Sequence, residues 1–457
     1  LLVTPHDPTL LTTGPSCLAN SYRGLFGGNS VFIVDDACMS SSIGLLSQGL
    51  FSPIDSPDQN LVWLEQEAVE DALKPPSSED VYELISNLPT ALPAAQNDEQ
   101  KVMINSPLAN ILLAGLPSSM VLSVTPDIAR TLDTQIPRSW KYTPIPQEPV
   151  PYVPISSSAT ARVKALAASV KFDPVIASIV GNISIPQMRQ DVRYLTGEDP
   201  ASGIVSRHAF SSGALQAADW LQEQFEGTGA SCEQKPFRTG FSPNVVCTYA
   251  ATQGTTETIL LSAHYDSRGS FGSTRAPGGD DDGSGTTALL AIARTIARKG
   301  VTFRKNVQLV AFSGEEQGLL GSKAYARELY ELGANLTLMI QADMLGYHAP
   351  GEPAQLGLPA SIGSQEVMQL VSNLSAIYSP ELVIGTTSAC CSDHQSFHEL
   401  GFPATQVFER AGPIADPMYH NSGDVSDREG YDFEQIRSIA KIQFATLLHA
   451  AGYDLQE

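Results

Sequence analysis

No stretch of the 457 residues approaches the ~18 consecutive apolar residues that a bilayer-spanning helix needs, so membrane insertion is not expected. Basic residues are scarce: 27 Lys and Arg stand against 49 Asp and Glu, a formal charge of -22. Such a chain is repelled by phosphate backbones and anionic lipid, which argues against nucleic acid as a partner. A G-x-S-x-G elbow after a strand is missing, so a serine-hydrolase arrangement is poorly supported. There is no internal repeat and no low-complexity tract. Leu1 is not an initiator Met and no hydrophobic leader stands before it, so a processed or trimmed chain is expected.

What is present is an ordinary globular composition, 42% apolar and 17% charged, long enough for two or three domains. The 31 Pro and 36 Gly point to a loop-rich chain rather than to helical repeats. The six Cys fall into near pairs: Cys17 with Cys38, Cys232 with Cys247, and Cys390 beside Cys391. An even count in near pairs suits an oxidising compartment, although six cysteines allow about fifteen connectivities. Sequons at Asn182, Asn335 and Asn373 agree with it. A secreted, extracellular protein is expected, with a vacuolar or other secretory-pathway lumen as the alternative.

In chain order, residues 1–136 read as a smaller α+β accessory or propeptide-like domain. A helix is expected at 79–88, where Val81, Leu84, Ile85 and Leu88 share one face. A strand-like SMVLSV then runs into Thr125-Pro126-Asp127, an N-cap, a first-turn proline and an acid at the positive end of a helix dipole. Six prolines, from Pro137 to Pro154, with Ser156, Ser157 and Ser158 behind them, mark 137–158 as a stiff linker, or as a segment pinned along the next domain. Residues 159–457 alternate helix and strand. SSGALQAADWLQEQFEGTG gives a capped helix with Ala214, Ala217, Ala218, Leu221 and Phe225 on one stripe. Strands are expected near 243–250, 257–264, 306–313, 337–343 and 403–409, and helices at 284–299, 316–332, 365–378 and 432–451. This pattern predicts an α/β sandwich with a largely parallel central sheet, in which ligands sit at the carboxyl ends of the strands. A Cys232–Cys247 bridge would staple the first sheet edge.

The chemistry-bearing residues lie at those strand ends. His264 and Asp266 close ILLSAHYD, a spacing that lets the aspartate orient the imidazole for a metal. Asp280, Asp281 and Asp282 open a helix; three adjacent carboxylates repel one another unless a cation or the helix dipole compensates. A solvated acidic turn is the bland alternative. An EF-hand aligned on Gly283 would need acids at Gly278 and Leu289 and finds neither. Glu315 and Glu316 follow VQLVAFSG and are expected to begin a helix, so one can face a metal and the other a substrate, unless they merely cap it. Asp343 closes the apolar LTLMIQAD, where a buried acid needs a partner. His420 lies in the loop DPMYHNSGD. His394 and His398 are four apart, a zinc-binding spacing on a helix, but residue 395 is Gln where a zincin has Glu, so they read as structural or pocket residues.

Taken together, His264, Asp281, Glu315, Glu316, Asp343 and His420, with the phrases HYDS, APGGDDDGSG, SGEEQGLLGS, QADMLGY and CSDHQSF, resemble the M28 family of co-catalytic zinc peptidases. The resemblance runs from about Ile176 to Tyr453 and, within the family, is to secreted leucyl-type aminopeptidases; the first 155 residues lie outside it. It implies a three-layer sandwich with a central mixed, mostly parallel sheet, and two Zn2+ per chain. One zinc would be held by His264 and Asp343, the other by Glu316 and His420, with Asp281 bridging, Asp266 behind His264, and Glu315 as general base. Two zinc ions ~3.5–4 Å apart share and acidify a water, and Glu315 would take its proton. Met344, Phe408, Met418 and Tyr419 are candidate pocket walls, or simply core. The chain departs from bacterial relatives at Thr387-Ser388-Ala389-Cys390-Cys391-Ser392, where the Tyr between two spaced cysteines is absent. There the adjacent cysteines can form a vicinal bridge, remain thiols or pair separately, with the bridge favoured. The expected substrate is the free N-terminus of a peptide or protein, cut by a monomer. The rivals are a carboxypeptidase, a dipeptidase, a glutaminyl cyclase with one working zinc, or a non-catalytic binding protein on this scaffold. The last would be expected to lose ligands or the base, and here all are present.

Overall fold

The run Leu61-Val62-Trp63-Leu64 is buried without a break, as in a strand covered on both faces. It lies in the first of two units into which a computed structural model divides the chain. The structure describes residues 1–42, 44, 49–54, 60–88 and 111–456. Unit one comprises Leu1–Glu67 and Lys74–Tyr152; unit two comprises Ala68–Leu73 and Val153–Glu457.

Among the described residues, unit one holds two antiparallel four-stranded sheets. The strands are β1 (Leu2–Pro5), β2 (Tyr22–Phe26), β3 (Asn29–Phe32), β4 (Leu50–Phe51), β5 (Asn60–Gln66), β6 (Ile111–Leu116), β7 (Ser119–Val124) and β8 (Trp140–Pro144). Their orders are β2-β3-β1-β4 and β6-β7-β5-β8. The helix expected at 79–88 runs Ser78–Ser86, started by a reciprocal Ser77–Asp80 capping box. Thr125 caps Pro126–Thr131 as its sequence implied. The segment 137–158 differs from a plain linker. Trp140 and Tyr142 are buried, and β8 pairs with β5 at the sheet edge, where Pro144 can close a strand without disturbing a ladder. At its other end Ser156 caps the helix Ser157–Ser169.

Unit two has strands β9 (Ser231–Lys235), β10 (Asn244–Tyr249), β11 (Thr258–His264), β12 (Val301–Phe303), β13 (Asn306–Phe312), β14 (Leu336–Ala342), β15 (Gln355–Pro359), β16 (Val383–Thr387), β17 (Ala404–Val407) and β18 (Tyr453–Leu455). Six form the central sheet in the order β17-β14-β11-β13-β10-β9. The first four are mutually parallel, and β10 runs antiparallel to β13 and β9, so the sheet is mixed and mostly parallel. Side chains alternate across it with the period of two that a pleat imposes. Ile259, Leu261, Val307 and Leu309 join one apolar cluster with residues of the helices Gly283–Lys299 and Phe433–Ala451. Leu260, Val310 and Phe312 face the other way, against Tyr325 and Ala326 of the helix Leu320–Glu331. Helices on both faces make three layers. Among the described residues, no helix is long and apolar enough to cross a membrane.

Candidate metal centre

Three neighbouring parallel strands bring the polar residues to one edge of the sheet. His264 is the last residue of β11, Asp343 follows β14, and Glu315 and Glu316 stand just past β13. Asp281 precedes the helix Gly283–Lys299, and His420 arrives on a loop. Asp281 lies between the two imidazoles: its Oδ1 is 3.3 Å from His264 Nε2 and its Oδ2 is 3.2 Å from His420 Nε2. Each imidazole has a further carboxylate, Asp343 Oδ1 at 3.7 Å from His264 Nε2 and Glu316 Oε2 at 2.9 Å from His420 Nε2. The arrangement is two-sided, with one acid shared.

A second ring of groups fixes the first. His264 Nδ1 donates to the Asp266 carbonyl at 3.2 Å, and Asp266 Oδ1 lies 3.6 Å away. The same carboxylate accepts the backbone amides of Glu315 and Glu316, each at 3.3 Å. Asp282 accepts three amides, from His264, Gly285 and Met344, at 3.1, 2.9 and 3.2 Å. Asp280 Oδ1 accepts the Gly346 amide at 2.7 Å. Asp424, held by Arg428 at 3.0 Å, accepts the amides of Asp280 and Asp281 at 3.0 Å. The fully buried Arg207 donates to the carbonyls of Leu195, Tyr265, Pro277 and Gly278, girdling the loop that carries Asp281. The acidic triplet thus divides its labour. Asp281 faces the imidazoles, while its neighbours brace the backbone. Ligand-type atoms of His264, Asp282 and Asp343 also cluster closely. Both Asp282 oxygens are occupied by amides, so Asp281 is the better-placed donor.

Glu315 and Glu316 do not begin a helix. They lie on a turn ahead of Leu320–Glu331, shaped by left-handed residues at Gly314 (φ 72), Gly318 (φ 97) and Leu319 (φ 62). The Asp266 bonds to their amides replace those that a first helical turn would leave free.

The electrostatics call for a cation. Burial pushes the His264 imidazole down, but Asp266, Asp281 and Asp343 outweigh it and hold its pKa well above the ordinary value. Burial likewise opposes charge on His420, yet Glu316 and Asp281 raise it to about 9. Burial would raise Asp281, and the two imidazoles instead hold it well below the carboxylate range. His264 Nε2 and Glu316 Oε1 are buried without a hydrogen-bond partner, a cost that a metal ion would remove. Imidazole and carboxylate donors with no thiolate suit zinc.

Residues 244–446 match the model of peptidase family M28. The matched segment is a peptidase family M28 domain. The matched segment lies wholly in unit two. The chain is 29% identical over 282 residues to a probable leucine aminopeptidase of Arthroderma otae, spanning 59% of this chain and 73% of that one. It is 26% identical over 389 residues to leucine aminopeptidase 1 of Coccidioides posadasii, spanning 80% of this chain and 95% of that one. The crystal structure of the Legionella pneumophila LapA aminopeptidase shares the fold, with TM-score 0.62 at 18% identity, covering 88% of this chain and all of that one.

Beside the metal centre of this M28 unit, Met344, Phe408 and Tyr419 are buried in one apolar cluster with Ala389 and Ile414. The half-buried Met418 is not a member of it. Tyr419 stacks on His420 with ring centroids 3.8 Å apart. His394 donates to the Ile362 carbonyl at 3.1 Å, as a structural histidine does, and His398 closes the same short helix. Disulfides join Cys17–Cys38, Cys232–Cys247 and the vicinal pair Cys390–Cys391. Of the sequon asparagines, Asn182 is exposed and Asn335 and Asn373 are half-buried; their amide nitrogens donate to the Ser178 carbonyl, Thr256 Oγ1 and the Ala167 carbonyl respectively. The sequence had also left one strap unnoticed. Within unit two, Glu70 N donates to Ile414 O and Ile414 N to Ala68 O, both at 2.8 Å, and Val69 packs on the apolar cluster. Glu70 pairs with Arg410 at 2.7 Å, and Glu352 grips the same guanidinium at 2.6 Å.

With His420 raised to about 9, the metal-free site carries a proton there at pH 7 that a metal must displace. Zinc titrated into the stripped chain near pH 7 should release protons to the buffer, and its affinity should rise as pH goes from 7 to 9. Calorimetry in buffers of different ionisation enthalpy measures this; proton uptake would contradict it.

Proposed function

We infer that the chain is a di-zinc aminopeptidase that removes residues from the free N-terminus of peptides, with a preference for apolar ones. The observation that carries this reading is Asp281 set between two imidazoles, each with its own second carboxylate. In this reading His264 and Asp343 would hold one ion and Glu316 and His420 the other, and Asp281 would serve both. Zinc bound there would acidify a water and polarise the scissile carbonyl. Glu315 then accepts the water's proton and returns it to the leaving amine. Its place is kept by the Asp266 carboxylate, which grips its backbone amide while backing His264. Met344, Phe408 and Tyr419 offer an apolar wall beside His420 for the first side chain. The relatives named leucine aminopeptidases support the exopeptidase direction. Three disulfides and the exposed Asn182 sequon support secretion, and the chain is taken to act as a monomer.

Val69 stands in contact with that apolar wall, as a bound aliphatic side chain would. The strap is therefore read as a propeptide-like restraint on the site, and the acceptor for an apolar first residue as the place that it fills.

Three outcomes follow. A free-ended leucyl peptide should lose residues one at a time from its amino end, by mass readout, while its acetylated twin stays whole and a chelator stops the loss. Shortening from the carboxyl end would sink the aminopeptidase reading, and cyclisation of an N-terminal Gln would favour the cyclase. Glu315→Gln should lower kcat by about 10²–10⁴-fold, the usual worth of a general base, while zinc content by mass spectrometry stays at two. Finally, removal of residues 1–155, or the pair Val69→Gly with Glu70→Gln in the full chain, should raise kcat/KM on leucyl substrates. An unchanged or abolished rate would make the strap a structural wall.

A further inference from the structure

Unit one contains a cavity of about 340 Å³, within the ~300–1,000 Å³ range of small-molecule sites. Its walls include the apolar side chains of Ile33, Ile54, Leu61 and Ile145, the opposite charges of Arg23 and Asp36, and Leu1, whose α-amino group is bonded to the Ser52 carbonyl at 2.9 Å. Arg23 is only 8% exposed, and its Nε and one terminal nitrogen are buried without a hydrogen-bond partner. Arg23 sits at the irregularity where β2 slips its register against β3, between Tyr22 and Gly24. Burial pulls its pKa down, and the field of Glu148 offsets part of this without making an ion pair. No ion pair joins Arg23 to Asp36 either, although both line the cavity. A buried guanidinium with idle donors is costly unless an acceptor arrives, and a planar fork of donors matches a carboxylate.

We propose that this cavity binds a free apolar α-amino acid, with its carboxylate on Arg23, its ammonium at the exposed Asp36, and its side chain against Ile33, Ile54, Leu61 and Ile145. A bare anion would leave Asp36 opposed and the apolar walls wet. A neutral apolar molecule would leave the guanidinium idle. A zwitterion with an aliphatic side chain satisfies all three surfaces, and 340 Å³ holds a molecule the size of leucine. The ligand class is also the product class of the inferred peptidase, so unit one would sense the released amino acid. Binding itself needs no turnover, and its failure would leave the peptidase reading standing.

The test is calorimetric titration of the zinc-loaded full chain with L-leucine, L-leucinol and 4-methylpentanoate, repeated on Arg23→Gln and Asp36→Asn. Leucine held at the metal centre is common to all three proteins and is subtracted by the comparison. The wild type should show a leucine site that Arg23→Gln weakens at least tenfold and Asp36→Asn at least threefold, with the peptidase rate unchanged in both. Leucinol, which lacks the carboxylate, and 4-methylpentanoate, which lacks the ammonium, should each bind there at least tenfold more weakly. Identical leucine isotherms in wild type and Asp36→Asn, or no discrimination among the three ligands by the wild type, would overturn the proposal. Those two comparisons stand even if Arg23→Gln fails to fold.

Discussion

Five carboxylates and two imidazoles are held together at the end of one sheet, away from water, and everything else in unit two accommodates that crowd. Asp266, Asp281, Asp282, Glu316 and Asp343 surround His264 and His420. Burying that much negative charge is unfavourable by several kcal/mol per uncompensated ion. The compensation comes from three sources: amides aimed at Asp266, Asp282 and Asp424, the cations Arg207 and Arg428, and the metal that the remaining lone pairs demand. The first two are built into the chain. The third makes the fold of the site and the occupancy of the site a single equilibrium.

Parallel strands explain why such a cluster can be assembled at all. Register places His264 level with Phe312 on β13, so residues just beyond each strand arrive at the same height from neighbouring rows. Three loops then need only a few residues each to meet. The apolar faces below them, split between two helical layers by the pleat, supply the rigidity that holds the donor atoms in place.

Much of this was legible in the chain itself, because it was local. Alternating apolar runs marked β10, β11, β13, β14 and β17, and Ser, Asp and Gly marked the helix ends between them. The polar residues closing those runs are the ones that the structure brings together. What escaped was long-range or conformational. Asp424 supports Asp281 from 143 positions away, and nothing in SGD announces it. Arg207 is one arginine among many until four carbonyls converge on it. The helix expected from residue 316 starts later because Gly314, Gly318 and Leu319 take left-handed conformations, which no periodicity reveals. Pro-rich 137–158 looked like a spacer because prolines are common in linkers, yet a sheet edge also tolerates them. The strap of Ala68–Leu73 has no pattern of its own; only Ile414 and Arg410, far along the chain, give it a role.

One carboxylate, that of Asp266, touches both the imidazole that closes β11 and the turn that carries Glu315 and Glu316. The proposed ligand and the proposed base are therefore geared together rather than mounted separately. Lengthening or shortening the 314–319 turn by a residue would rotate the gear at both ends, and a drift of His264 would be felt by the proton acceptor. Variation that adjusts reactivity in this scaffold has to come from side-chain identity or from the walls around the centre, because the backbone at its hub has no independent play.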